Sequence, residues 1–446
     1  MMAAHGETAP DPTLEVRRAA REIFQHALAE SSIARAFERH VEYRRGVLRI
    51  MEDLYNLDAY KRVFVVSMGK AGNALARSLA AQVGSWAEGI VVANQEETAM
   101  QYGLRYFCGG HPVPSAESVR AAEAILRALE ALKEGDLAMF MISGGASSLV
   151  EKPLAEEITL DDLVATYQAL VHSGAPIAEI NAIRKHLSAV KGGRLARAAA
   201  GASRQVSILI SDVPDTKIDS LASGPTMPDS TTVEDCYRLA RDYGMMEQFP
   251  AATRKLFEQR ALEETPKAGD KAFGHSRWWT ILSSATLEEE AAAKAGRQGF
   301  AVDVDDSCDD WDYARAAEHL LTRVREMRRK AGRVCLISAG EVTVKVGPES
   351  GKGGRNQQFA LYCAKRVAGE NIVVLSAGTD GIDGNSTAAG ALVDGSTLAR
   401  ARARGLDLVD ALNRFDAHPV FEVLGDAIVT GPTGTNVRDL RLLLAY

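Results

Sequence analysis

Six glycine-rich segments of this chain carry lysine, serine, arginine, aspartate or asparagine where a short apolar run meets a helical pattern. In α/β sheets, ligands sit beyond the carboxyl ends of strands, where loops feed helix N-termini. In SMGKAG (67–72) the amides of a helix start would attract an anion, and Lys70 adds a full positive charge. A tight turn with a solvated lysine would give the same pattern. The spacing S-x-G-x-x-G is one residue from a dinucleotide fingerprint, but a lysine aimed at the ligand suits phosphate chemistry better than hydride transfer. Ser143, Gly144, Gly145, Ala146, Ser147 and Ser148 follow the apolar run 137–142. Adjacent glycines let the backbone curl around a phosphate, and the serines add donors. Nothing matches the loop G-x-x-x-x-G-K-S/T.

NAIRKHLSAVKGGRLA (181–196) gathers Arg184, Lys185, Lys191 and Arg194. These could clamp a carboxylate or phosphate, or form a solvated helix face. His186 among them reads as a packed histidine. Asp212 follows the run 206–210, where a carboxylate can hold Mg²⁺ through water or cap a turn. Ser223-Gly224-Pro225-Thr226 lies just downstream. GGRNQ (353–357) opens a helix with Arg355 and Asn356, so a guanidinium and a helix N-terminus could grip one anion together. Glu341 precedes it in a glycine turn. GTDGIDGN (378–385) offers Asp380, Asp383 and Asn385, of which one acid reads as a base or metal partner. An EF-hand start lacks its later Glu here, so calcium is discounted. TGPTGTN (430–436) is a further polar glycine turn, with Asn436 near its end. Together the segments describe a site for anionic ligands between two domains.

The elements that must position these residues follow from periodicity. Compact apolar runs at 63–66, 89–93, 137–142 and 206–210 read as strands buried on both faces. Helical spacing covers 71–83, 116–132 and 160–171. After a polar break at 266–275, strands are expected at 280–282, 301–304, 334–337 and 372–375, with helices at 287–298, 313–329 and 357–367. Alternating β and α units predict an α/β protein of two doubly wound Rossmann-like domains with an active-site cleft between them. The domains are expected at 1–270 and 271–429, with 430–446 either ending the second or rejoining the first.

The 446 residues suit two domains, and the net charge of −7 with no basic cluster argues against a nucleic-acid partner. Five scattered cysteines form no Cys-x-x-Cys; each reads as a small buried hydrophobe in a reducing compartment. No signal-peptide pattern or membrane-length apolar run occurs, so a cytoplasmic protein is expected, without a membrane partner. The first dozen residues read as a disordered tail.

Taken jointly, SMGKAG, GGHPVPS, SGGASSL, NAIRKHLSAVKGGRLA, SDVP with SGPT, GGRNQQFAL, GTDGIDG with AAGALVDG, and TGPTGTN resemble the glycerate 2-kinase family, whose C-terminal part is called MOFRL. They run in order from about residue 63 to 440. The resemblance implies ATP-dependent phosphorylation of D-glycerate at its 2-hydroxyl, with Mg²⁺ or another divalent ion. It places Lys70, Arg355 and Asp380 at the family's catalytic positions and the 143–148 loop at its nucleotide-phosphate loop. On that reading Lys70, Arg184, Arg355 and Asn356 contact substrate, and Asp212 joins the nucleotide and metal side. Closure of the two domains would exclude water. Two departures stand out: Ala146 where the family usually has a third glycine, and Thr387 where it often has Asp. The rival readings are an NAD(P)H-dependent hydroxypyruvate reductase and a non-catalytic sensor of sugar acids or sugar phosphates. A monomer or homodimer fits either way.

Overall fold

The structure is a computed structural model that describes residues 11–84, 88–213, 215–347 and 350–446. The chain forms two compact units that divide at Ser32/Ile33 and at Leu282/Ser283. The central unit is one continuous stretch; the terminal unit joins both ends of the chain.

The central unit opens on a small antiparallel sheet of β1 (Val41–Arg44), β2 (Val47–Ile50) and β3 (Asp53–Asn56). Six parallel strands follow: β4 (Arg62–Met68), β5 (Glu88–Ala93), β6 (Leu104–Cys108), β7 (Asp136–Ile142), β8 (Arg204–Ile210) and β9 (Ser276–Leu282). Their order is β6-β5-β4-β7-β8-β9, so the winding reverses between β4 and β7. Such a switch point leaves a crevice beyond two adjacent strand ends. β7 is buried at every position because helices cover both faces, which is why it reads as an unbroken apolar run. Phe64, Val66 and Met68 of β4 join a core with Ala121, Ile125 and Leu129 of the helix Ala116–Glu130. That helix begins in a Ser115 capping box. A separate helical core gathers Leu163, Tyr167, Ile183, Leu239 and Phe257.

The terminal unit holds β10 (Ala301–Val304), β11 (Val334–Gly340), β12 (Ile372–Gly378), β13 (Gly390–Asp394), β14 (Ala427–Ile428) and β15 (Asp439–Ala445), in the order β10-β11-β15-β12-β13-β14. The layers are those of an α/β fold, but the sheet is mixed rather than wound in parallel. β15 runs antiparallel between β11 and β12. Its first residue, Asp439, pairs with Gly340 and Gly378, the last residues of those strands. The start of β15 thus lies at the same sheet end as the loops that follow β11 and β12.

The expected domain limits shift. The run at 280–282 is the end of β9, the edge strand of the central sheet, so the boundary lies past 270. The last residues stay in the terminal sheet. The helix Pro12–Glu30 also belongs to that unit: Arg17 bridges the buried carboxylates of Asp394 and Asp426. The tail expected over the first dozen residues falls outside the described residues up to residue 10. Four cysteines are buried as expected, but Cys108, at the end of β6, is exposed.

Candidate active site

Lys70 and the 143–148 loop leave the adjacent strands β4 and β7, and they interlock. Lys70 N donates to Gly144 O at 2.9 Å, Ala71 N to Ser143 Oγ at 3.0 Å, and Ser143 N to Met68 O at 3.0 Å. Gly69, at φ +122°, lets Ser143 approach so closely that a Cβ there would lie 2.2 Å from Ser143 Oγ. Gly145 adopts φ +84° and caps the turn Ala146–Leu149. A Cβ on Gly145 would meet Lys70 Cγ at 2.9 Å and His111 Cδ2 at 3.2 Å, so both side chains border the loop. Ala146 already has helical backbone and is buried, so this position does not need the family's usual glycine.

The Lys70 side chain is exposed and makes no hydrogen bond or ion pair among the described residues. His111 beside it is pushed below the usual histidine value by burial and by Lys70, so at neutral pH it adds no second positive charge. Asp212 lies over Gly144, where a Cβ would fall 1.9 Å from Asp212 Oδ2. Beneath the loop, Ser147 Oγ meets Ser223 Oγ at 3.1 Å. Ala222 and Ser223 hold left-handed backbone there, at φ 52° and 62°.

The four basic residues of segment 181–196 separate by partner. Lys191 is buried and donates to Ser147 O at 2.6 Å and to Glu151. Glu151 is itself buried and also accepts from Tyr167 at 2.7 Å and Ser188 at 2.6 Å. Lys185 donates to buried Asp229 at 3.0 Å, and buried Arg194 to Glu263 O at 3.2 Å. These three cations brace the fold. Arg184 differs: its guanidinium stacks over the Tyr167 ring at 5.0 Å, and its Nε is buried without a hydrogen-bond partner among the described residues. His186 is packed as expected, between Ala182 O at 2.8 Å and Glu264 at 2.9 Å. Cys236 Sγ lies 3.2 Å from His186 Nδ1, which outlines a thiol triad. Burial drives that thiol far above its usual pKa, which leaves it an inert core group.

In the terminal unit a cleft of about 680 Å³ is lined by Glu341, Arg355, Asp380, Asp383 and Asn385, among others. Arg355 begins the helix Arg355–Arg366. Its Nε and Nη2 reach Asp439 at 2.6 and 3.0 Å, and Nη2 reaches Glu341 at 2.8 Å. Burial works against its charge, but those carboxylates hold it firmly protonated. The expected anion at the helix N-terminus is supplied by the protein itself. Asp383 accepts from Asn356 N at 3.0 Å and Gln357 N at 2.8 Å. Burial raises Asp383 to about 6 despite those amides. Asn356 is buried and accepts from Ser376 Oγ at 2.6 Å, so it supports the helix start. Asn385 fastens the glycine turn, accepting from Gly353 N at 2.8 Å and donating to Gly351 O at 3.1 Å. Asp380 remains the acid with spare capacity: Ile382 N donates to its Oδ1 at 3.1 Å, and its carboxylate carries no ion pair among the described residues.

Sequence reasoning singled out Arg355 and missed Asp439, its main partner 84 positions away. It also missed Glu151 and Tyr167. Each lies far along the chain from the group it serves, so no local spacing marks it.

These features define an α/β protein in which two glycine loops at the central switch point border an exposed lysine that makes no side-chain hydrogen bond or ion pair among the described residues. A family described as a domain of unknown function, DUF4147, matches residues 19–258, and the MOFRL family matches 334–439. The D-glycerate 2-kinase of Thermotoga maritima is 36% identical over 392 residues, covering 86% of this chain and 90% of that one. The crystal structure of the Thermotoga maritima glycerate kinase has a TM-score of 0.83 at 32% identity, covering 97% of this chain and 100% of that one. An Agrobacterium vitis protein provisionally named a hydroxypyruvate reductase is 39% identical over 394 residues, 86% of this chain and 87% of its own. The chain belongs to the glycerate 2-kinase (MOFRL) family.

Proposed function

We propose that the chain phosphorylates D-glycerate at its 2-hydroxyl with ATP, giving 2-phosphoglycerate and ADP, as the names of its kinase relatives suggest. The observation that carries this reading is Lys70: a cation whose side chain has no partner among the described residues, at a switch point whose two glycine loops are joined by hydrogen bonds. A structural lysine would have a carboxylate, as Lys185 and Lys191 do.

Phosphoryl transfer needs positioning and charge neutralisation more than covalent chemistry. The 143–148 loop offers amides and hydroxyls to the nucleotide phosphates, and Lys70 offsets charge on the transferred group. Asp380 takes the proton as the 2-hydroxyl oxygen bonds to the γ-phosphorus and the bond to the ADP oxygen breaks. Arg355, pinned by Asp439 and Glu341, presents its guanidinium in one fixed orientation to the glycerate carboxylate.

Among the described residues no three His, Cys, Asp or Glu side chains converge on a metal position. Mg²⁺ does not need such a cage, because it keeps several waters and is held by one or two carboxylates plus phosphate oxygens. Asp212, over Gly144 of the phosphate loop, fits that role. A bound Mg²⁺ neutralises charge on phosphate oxygens. The reading includes a cytoplasmic enzyme acting as a monomer or homodimer; no helix among the described residues is long and apolar enough to cross a membrane.

The Agrobacterium vitis name favours one rival, a reductase. Initial rates separate them. ADP released in proportion to D-glycerate, with no NADH oxidised by hydroxypyruvate, supports the kinase; the reverse pattern supports the reductase.

A further inference from the structure

Next to the 143–148 loop, the central unit has a pocket of about 390 Å³, a size that suits a small organic ligand. Its walls are mainly apolar: Pro112, Val113, Pro114, Val164 and Val171. Val113 and Val171 leave 48% and 57% of their surface exposed, which an apolar ligand would cover. One side is a fixed flat surface. The Tyr167 hydroxyl is tied to Glu151 at 2.7 Å, and Arg184 lies over the ring with its guanidinium making no hydrogen bond or ion pair among the described residues. Gly145, Ser147 and Ser148 also line the pocket, so an occupant adjoins the phosphate loop directly. His111, Gln168 and His172 add further hydrogen-bonding groups to the lining.

Glycerate has a carboxylate and two hydroxyls on three carbons, and no apolar face to bury against prolines and valines. A purine has two flat apolar faces and a polar edge, and guanidinium planes stack on such rings. We propose that this pocket takes the purine base of the nucleotide, with the phosphates running onto the 143–148 loop. Arg184 then serves the nucleotide and not the acid, contrary to its sequence-based assignment. The proposal rests on the kinase reading for its phosphate donor.

The test is a fluorescence titration with trinitrophenyl-ATP, competed by adenosine, alongside steady-state kinetics. The variant is Val171→Trp, at an exposed position that tolerates a larger side chain without unfolding, which a thermal melt confirms. Adenosine should displace the dye from the wild type. The variant should bind adenosine and ATP about tenfold more weakly while its KM for D-glycerate stays within about twofold. Failure of adenosine to compete, or a rise in the glycerate KM with ATP unaffected, would overturn the pocket's assignment. Binding requires no turnover. A wild type that binds adenosine as described but forms no ADP with glycerate therefore contradicts the kinase reading and leaves the purine pocket standing.

Discussion

At the scale of single residues, the site is defined by which charged groups already have partners. Lys191, Lys185 and Arg194 sit in the same segment as Arg184, yet the first two close on Glu151 and Asp229 and the third on a backbone carbonyl. Removing a buried partner is expensive, because the remaining charge stays desolvated. Lys191→Met should therefore destabilise the protein by about 3–5 kcal/mol, seen as a lower urea midpoint. Lys70→Ala should leave the midpoint unchanged and lower kcat by about 10²–10³-fold, the loss typical of a charge-stabilising donor. The residue types and their glycine context were legible in the sequence. Their commitments were not, because Glu151, Asp229 and Asp439 reach their cations only through the fold.

At the scale of elements, strand ends and helix starts do the positioning. The strands β4, β7 and β8 were legible because both faces are buried, which leaves uninterrupted apolar runs. The antiparallel insertion of β15 was not: a fully buried strand looks the same in either direction, and only its register puts Asp439 beside Arg355. The glycine turn at 378–385 shows the same limit. Its two acids are three residues apart, yet Asp383 turns inward to the helix Arg355–Arg366 while Asp380 faces the cleft.

That difference has a consequence for pH. Asp383 rises from 3.8 to about 6 on folding, so between these values the folded chain holds a proton that the unfolded chain has lost. Its contribution is most favourable below about pH 4, falls as pH rises to about 6, and is flat above. Thermal melts of wild type and Asp383→Asn across this range should differ by that slope: the wild type loses stability relative to the variant between pH 4 and 6. Gly145→Ala tests the loop itself. A Cβ at φ +84° meets Lys70 and His111, so the variant should lose most of its activity with a smaller change in melting temperature.

At the scale of the whole molecule, the chain's two ends share one unit. The alternation of β and α patterns made two α/β domains legible, but not the boundary. The polar stretch at 266–275 interrupts the chain before β9 and not after it, so the composition break falls inside the central unit. Nor does periodicity show that the helix Pro12–Glu30 docks on strands more than 300 positions downstream. Arg17 does, through Asp394 and Asp426, which are each 1% exposed. Arg17→Met removes one of the two cations on these carboxylates while Arg400 still holds Asp426 at 2.5 Å, so stability should fall by about 1.5–3 kcal/mol, read as a fall in melting temperature that Lys70→Ala does not share.

The central claim is that this chain transfers the γ-phosphoryl group of ATP to the 2-hydroxyl of D-glycerate. Its most direct test couples the reaction to enolase with phosphoglycerate mutase left out. The account predicts an immediate enolase signal that depends on ATP and glycerate and falls with Lys70→Ala. ADP release with no enolase signal until mutase is added would place the phosphate on the 3-hydroxyl and contradict it.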